Sequence, residues 1–187
     1  MKIGIVDIET TGFLGQGASI VEIGIAGLDT RTGEINKLFH SLCREDGFSE
    51  KDSVAWIFQN SDLTMEAVLE APTLDEIKDG IQAVLHSTDA NTAYNKKFDF
   101  DFLRSRGFDI GRELPCPMLL STPICKCPPF RYGTYKWPKV EEAWRFYFPD
   151  APYMEAHRGL DDALHEARIV FELFRRGLMP AEIGGAQ

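Results

Sequence analysis

The chain has 187 residues, with 20 Lys and Arg against 29 Asp and Glu for a formal net charge of −9. That length suits one domain with its own core, and 44% hydrophobic with 26% charged residues is the balance of a globular chain, not a disordered one. No apolar run reaches the ~18–20 residues of a membrane helix, and the acidic balance argues against a protein that coats nucleic acid by bulk charge.

The N-terminal residues read directly as a strand, so no export leader is expected, and four cysteines are too sparse for a disulfide scaffold. Both features point to a reducing compartment, the cytoplasm. Residues 2–9 form the first predicted strand. Ile3 and Ile5 share one face, and Gly4, Val6 and Ile8 share the other. Both faces are apolar, as in a central strand covered on both sides. Residues 19–28 and 34–42 give two more strands, and the turn from Thr30 to Gly33 predicts that they pair as an antiparallel hairpin.

Residues 50–70 read as irregular or locally helical. A clear helix runs from Thr73 to His86: Pro72 precedes it, Thr73 and Glu76 make a capping box, and Leu74, Ile77, Ile81, Val84 and Leu85 form one apolar stripe. A short strand is expected at 89–94, then a helix from Phe98 to Arg106 stopped by Gly107. A last short strand is expected over Met118 to Thr122, a Pro- and aromatic-rich loop over 123–138, and helices over Val140 to Phe148 and Leu160 to Arg176. The expected fold class is α/β: a mixed sheet with an antiparallel three-stranded start and then short parallel strands, with helices on both faces. Residues 1–187 read as a single domain with its core at about 2–176 and a short C-terminal tail.

Several acids stand where apolar residues are expected. Asp7 and Glu9 continue the face of Ile3 and Ile5, because side chains two apart share a face. Two carboxylates at the end of a buried strand repel each other and resist desolvation, so something should neutralise them; the alternative is that the strand surfaces there and both face water. In the Phe98 to Arg106 helix, Asp99 lies at the edge of the apolar face and Asp101 beside Arg104 on the wet face. In the last helix, Asp161 aligns with His165, Arg168 and Glu172 toward solvent, and Asp162 aligns with Glu166, Ile169 and Leu173 toward the core. A capping role at the helix start is the alternative for both Asp161 and Asp162. His157, just ahead of that helix, is a candidate base on a loop; His40, His86 and His165 sit in strand or helix patterns without such company.

Four inward acids (Asp7, Glu9, Asp99, Asp162) suit Mg²⁺ or Mn²⁺, which prefer oxygen ligands, and their charge matches two divalent ions. Such a pair clamps the attacking and leaving oxygens of a phosphoryl transfer, and a neutral His can remove a proton from the attacking water. The constellation points to metal-dependent phosphodiester hydrolysis.

Three segments then carry a resemblance: DIETTG at 7–12, YNKKFDFDFL at 94–103 and HRGLDDA at 157–163. They resemble the three motifs of the DnaQ-like, RNase-T-like exonucleases, which have an RNase-H-like fold. The histidine four residues clear of the last aspartate resembles the DEDDh subgroup. The resemblance implies that Asp7, Glu9, Asp99 and Asp162 hold two Mg²⁺ or Mn²⁺ ions and that His157 is the general base. It further implies that Glu9, Thr10, Thr11 and Gly12 meet the 3′-terminal nucleotide, and that Phe13 stacks on a base or simply packs. Asn95 is a further substrate-side candidate, although Tyr94 stands where relatives often carry His. Trp56 and Phe58 lie in a segment that in relatives helps bind terminal bases, and either stack or pack in the core.

Cys116, Cys125 and Cys127 lack zinc-site spacing and read as reduced thiols. Residues 128–139 interleave aromatics with Arg131, Lys136 and Lys139, as a groove for single strands or as a packed Pro-rich loop. The expected activity is 3′→5′ exonucleolytic release of nucleoside 5′-monophosphates from single-stranded ends, with DNA favoured and no membrane partner. An exoribonuclease or oligoribonuclease acting on RNA, and a non-catalytic binding module of the same fold, are the alternatives; oligomeric state stays open.

Overall fold

The computed structural model describes residues 1–180. Strands β1 (Lys2–Thr10), β2 (Ile20–Asp29), β3 (Ile35–Leu42) and β4 (Ala90–Thr92) form one sheet in the order β3-β2-β1-β4. β1 runs antiparallel to β2 and parallel to β4, and β2 and β3 form the expected hairpin. The helices are α1 (Trp56–Asn60), α2 (Met65–Leu69), α3 (Leu74–Ser87), α4 (Lys96–Ser105), α5 (Pro117–Cys125), α6 (Val140–Tyr147) and α7 (Gly159–Arg175). Among the described residues, no helix is long and apolar enough to cross a membrane. Residues 181–187, most of the expected C-terminal tail, lie outside the described residues.

The alternation in β1 divides the core. Ile3 and Ile5 pack with α5, α6 and α7 on one side, while Val6 and Ile8 pack with α3 and α4 on the other. α3 starts at the Thr73 cap, where Thr73 N donates to Glu76 Oε2 at 2.7 Å and Glu76 N donates back to Thr73 Oγ1 at 3.3 Å. α4 starts two residues before the expected Phe98, on Asn95, and ends before Gly107 at φ +79.

One expectation fails outright. Residues Met118 to Thr122 do not form a strand; they lie inside α5. Pro117 supplies a helix-ready φ at the first position, and burial falls on Pro117, Met118, Ser121 and Thr122, which is a helical spacing. Thr122 Oγ1 donates back to Met118 O at 2.9 Å. A five-residue apolar run is too short for periodicity to tell a strand from a buried helix. Consequently the sheet carries one short parallel strand among the described residues, and residues 123–125 belong to the helix instead of the loop.

The seat of α7 depends on two glycines. A Cβ on Gly24 of β2 would fall 2.2 Å from the backbone of Gly159 and 2.3 Å from Leu160 N. A Cβ on Gly159 would fall 3.0 Å from Gly24 N and 3.2 Å from Asp7 O. Backbone therefore meets backbone where α7 begins, and the first turn of the helix is pressed against the acid-bearing end of β1. Gly24→Ala is expected to lower stability by about 1–3 kcal/mol through overpacking and to lower the melting temperature by roughly 2–4 °C per kcal/mol. An unchanged thermal melt would show that α7 is not held by this contact.

Candidate active site

Each acid reaches the site for a separate structural reason. Asp7 and Glu9 extend the Ile3–Ile5 face of β1 beyond the hydrophobic core. Asp99 sits in the first turn of α4, is 3% exposed, and accepts from Ile8 N at 3.3 Å through Oδ1. Asp101 instead turns outward and pairs with Lys97 at 2.5 Å and Arg104 at 3.7 Å.

Asp162, in the first turn of α7, is 1% exposed. Its Oδ2 accepts from Arg158 N at 2.9 Å, and its Oδ1 accepts from Ala156 N at 3.2 Å and from Tyr153 OH at 2.5 Å. Asp162 thus both caps the helix and faces the site. Asp161 lies outside and pairs with His165 at 3.4 Å.

His157 occupies the loop before α7 with φ +53, a left-handed conformation uncommon outside glycine. Its ring lies edge-on to Trp56 with centroids 4.6 Å apart. One ligand atom each from Glu9, His157 and Asp162 falls within 4.8 Å of the others. Asp7, Glu9, Asp99, His157 and Asn95 line one cavity of about 190 Å³.

Metal-free, the electrostatics of this cavity are unfavourable. Burial pushes the Asp7 carboxyl well above its ordinary range, and Glu166, Glu9, Asp99 and Asp162 push it further. Glu9 rises to about 9, through burial first and then the Asp162 charge. Asp99 rises to about 8, again chiefly through burial. Asp7 Oδ2 is sealed from solvent and lacks a hydrogen-bond partner. A buried, orphaned carboxylate oxygen beside several other acids is what a divalent cation would complete, so these residues fit such a group.

Three neighbours went unassigned in the sequence reading. Glu166 is 3% exposed, lines the same cavity, and accepts from Tyr94 N at 3.3 Å. Its position one turn beyond Asp162 on the inward face was the available signal. Glu155 also lines the cavity, and burial pushes its carboxyl up to about 7. Tyr153 orients Asp162.

Glu22 on β2 is fully buried, yet it pairs with the Arg158 guanidinium at 2.9 Å, and His40 Nε2 lies 2.6 Å from its Oε1. His40 thus meets an acid of the neighbouring strand. His86 likewise meets Asp109 at 3.1 Å. Arg158 also pairs with Asp62 at 2.6 Å, tying the His157 loop to both β2 and the segment after α1.

The remaining sequence candidates lie outside the lining of this cavity. Thr10 Oγ1 donates to Gly12 O at 2.8 Å, and Thr11 Oγ1 accepts from Ser19 N at 2.9 Å, bracing the turn after β1. Phe13 is 67% exposed and lies edge-on to Phe98. Trp56 is exposed instead of packed in the core, whereas Phe58 packs against Phe48. The four cysteines are free, and Cys116 Sγ donates to Tyr94 O at 3.2 Å.

A mixed sheet whose central strand ends in paired acids, facing acids at the starts of two helices, is the RNase-H-like arrangement of a nuclease. The chain belongs to the RNase T exonuclease family, which it matches over residues 5–170. It is 26% identical over 171 residues to a DNA polymerase III of PolC type from Clostridium perfringens (strain 13 / Type A), covering 91% of this chain and 11% of the polymerase. The chain therefore spans about a tenth of the length of that curated relative.

Among solved structures, it is similar to cell-death related nuclease 4 (CRN-4), with TM-score 0.68 and 14% identity over 94% of this chain and 64% of the other. It is also similar to the nuclease domain of 3′hExo, a DEDDh family member bound to rAMP, with TM-score 0.67 and 18% identity over 97% of both chains. At these identities the structural likenesses establish a shared fold.

The raised carboxyls fix the sign of a pH effect. Metal-free, the folded chain holds protons on these carboxyls that the unfolded chain releases near 4–4.5, so their contribution to stability is fully present only below about pH 4. It falls as pH rises through the folded values of about 7 for Glu155, 8 for Asp99 and 9 for Glu9. Thermal melts in EDTA should therefore decline from pH 5 to pH 9, and Asp7→Asn or Glu166→Gln should flatten that decline. Adding Mn²⁺ at about 100 times its Kd should raise the wild-type melting temperature by roughly 5–10 °C. A melt insensitive to both pH and Mn²⁺ would mean that these acids are not crowded together.

Proposed function

We propose that residues 1–187 act as a single exonuclease domain, with its core at about 2–176, that hydrolyses phosphodiester bonds from the 3′ end of single strands and releases nucleoside 5′-monophosphates. The observation carrying this reading is the approach of Glu9, His157 and Asp162 within 4.8 Å, beside the orphaned Asp7 oxygen, in a chain of exonuclease family. Exonucleases of this family depend on divalent metal. Asp7, Glu9, Asp99 and Asp162 would hold two ions, with Mg²⁺ or Mn²⁺ favoured because the donors are carboxylate oxygens. Bound there, the ions supply Lewis acidity for the phosphate and acidify bound water.

The protein side of the mechanism follows from placement. His157 stands on the loop at the cavity mouth, where its ring accepts the proton of the attacking water. Trp56 and the Arg158 pairs with Glu22 and Asp62 hold that loop in position. Tyr153 and the amides of Ala156 and Arg158 orient Asp162. Asn95, which lines the cavity, and Thr10, Thr11, Gly12 and Phe13, which follow Glu9 in the chain, would bind the terminal nucleotide.

DNA is the favoured substrate, and the likeness to a DNA polymerase III supports it. A second reading, RNA, draws support from two structural relatives: one holds rAMP, and another is a 3′-exonuclease in recognition of a histone mRNA stem-loop, TM-score 0.57. Nothing in the carboxylate cluster reads a 2′ hydroxyl. A cytoplasmic site of action is proposed with the activity.

Activity on 5′-labelled single-stranded DNA and RNA with Mg²⁺ or Mn²⁺ tests the reading directly. Products should shorten one nucleotide at a time from the 3′ end. Asp162→Asn should reduce turnover more than about 100-fold, beyond the usual loss for a partner outside the ligand set. His157→Ala should lower kcat by about 10²–10⁴-fold while end binding persists. Undiminished turnover in Asp162→Asn would refute the metal-site assignment, and lost binding without a kcat effect would refute the base role.

A further inference from the structure

A neutral histidine that acts as a base carries its proton on one ring nitrogen and accepts on the other, and the bond made by the first fixes which is free. One acid is placed to make that bond to His157. Glu155 Oε1 lies 3.9 Å from His157 Nδ1, with the two side chains 26% and 27% exposed. Glu9 and Asp162 also come near, each offering an atom within 4.8 Å of the ring. Among the described residues, however, Glu155 is the acid that pairs with a ring nitrogen of His157.

The backbone that carries Glu155 is fixed from two helices. Glu155 N donates to Glu141 Oε1 of α6 at 3.2 Å, and the next amide, Ala156 N, donates to Asp162 Oδ1 of α7 at 3.2 Å. Beyond the histidine, Arg158 N donates to Asp162 Oδ2 at 2.9 Å. Trp56 meets the ring edge-on. Glu155 also lines the acid cavity, but charge balance does not call for it there, because Asp7, Glu9, Asp99 and Asp162 already match two divalent ions.

The 3.9 Å separation exceeds a hydrogen bond. Catalytic hydrogen bonds are often long in ligand-free sites and tighten when substrate binds. Either protonation state of Glu155 offers an oxygen to Nδ1–H, so the contact does not require the carboxyl to be ionised.

Resting on the exonuclease reading, we propose that Glu155 is the positioning residue of the base: it accepts the Nδ1–H of His157 and so leaves Nε2 as the nitrogen that takes the proton of the attacking water. Once that proton has moved, both ring nitrogens are donors and Glu155 faces the imidazolium. Glu155 itself touches neither substrate nor metal; it acts through His157.

The test reads the tautomer directly. In protein carrying ¹⁵N-labelled histidine and saturated with Mg²⁺ and dTMP, long-range nitrogen–proton NMR correlations distinguish the protonated ring nitrogen from the bare one, and His157→Gln identifies the His157 signals. At about pH 8.5, above the ordinary histidine range, wild-type His157 should carry its proton on Nδ1. In Glu155→Ala the proton should move largely to Nε2, the form that free histidine favours in water. On 5′-labelled single-stranded DNA, Glu155→Ala should lower kcat by about 10–100-fold, the usual effect of losing a residue that orients a reacting group, with little change in KM. In a His157→Ala background the same substitution should cost almost nothing further, because its effect passes through the ring. The rise in melting temperature on adding Mn²⁺ should match that of the wild type.

A wild-type His157 protonated on Nε2, or the same tautomer with and without Glu155, overturns the assignment. A smaller Mn²⁺ shift in Glu155→Ala overturns it too, as does an undiminished loss of turnover in the His157→Ala background, since either result makes Glu155 a metal ligand in its own right. Failure of the wild type to shorten DNA would count against the exonuclease reading, and the tautomer spectrum would still decide the contact.

Discussion

Repulsion among buried carboxylates is the constraint on which the rest of the structure depends. Asp7, Glu9, Asp99 and Asp162 arrive from one strand and two helices, and Glu166 and Glu155 stand beside them. Each is desolvated, and each raises the proton affinity of its neighbours. Elsewhere, acids withdrawn from solvent have a cation: the buried Glu22 pairs with Arg158 and the half-buried Glu45 with Arg106. Among the described residues, no Lys or Arg pairs with Asp7, Glu9, Asp99 or Asp162, and one oxygen of Asp7 has no hydrogen bond. The fold holds these acids together by packing, against their own electrostatics.

That packing can be traced to small choices in sequence. Alternation along β1 sends Ile3 and Ile5 into one core and Val6 and Ile8 into another, so the strand is anchored on both faces before its acids emerge. The Gly24–Gly159 contact lets α7 approach the sheet closely enough for Asp162 to reach Glu9. Asn95 starts α4 so that Asp99 falls in the first turn, beneath Ile8 N. Arg158 then binds together β2, the segment after α1 and the loop in which His157 adopts a left-handed conformation.

Much of this was legible in the sequence because it follows from periodicity. The period of two along β1 placed Asp7 and Glu9 on one face. The period of 3.6 along two helices separated Asp99 from Asp101 and Asp162 from Asp161, and the observed burial divides the same way. What could not be read depended on tertiary packing. The Met118 to Thr122 run lacks the length to declare a helix, and the start of α5 on Pro117 decided it. The inward side of Glu166 was legible from its helical line with Asp162, Ile169 and Leu173, but its place in the acid cavity depends on how α7 seats against β1 and α4. The pairing of His40 with Glu22 joins residues on neighbouring strands, and the exposure of Trp56 depends on where α1 settles against His157.

A crystal structure of the protein grown with Mn²⁺ and measured at the manganese edge would test the central claim most directly. The account predicts two anomalous peaks, about 3.5–4 Å apart, between the carboxylates of Asp7, Glu9, Asp99 and Asp162. Anomalous density absent from that cavity at saturating Mn²⁺, with the acids turned to solvent or paired to protein cations, would contradict it.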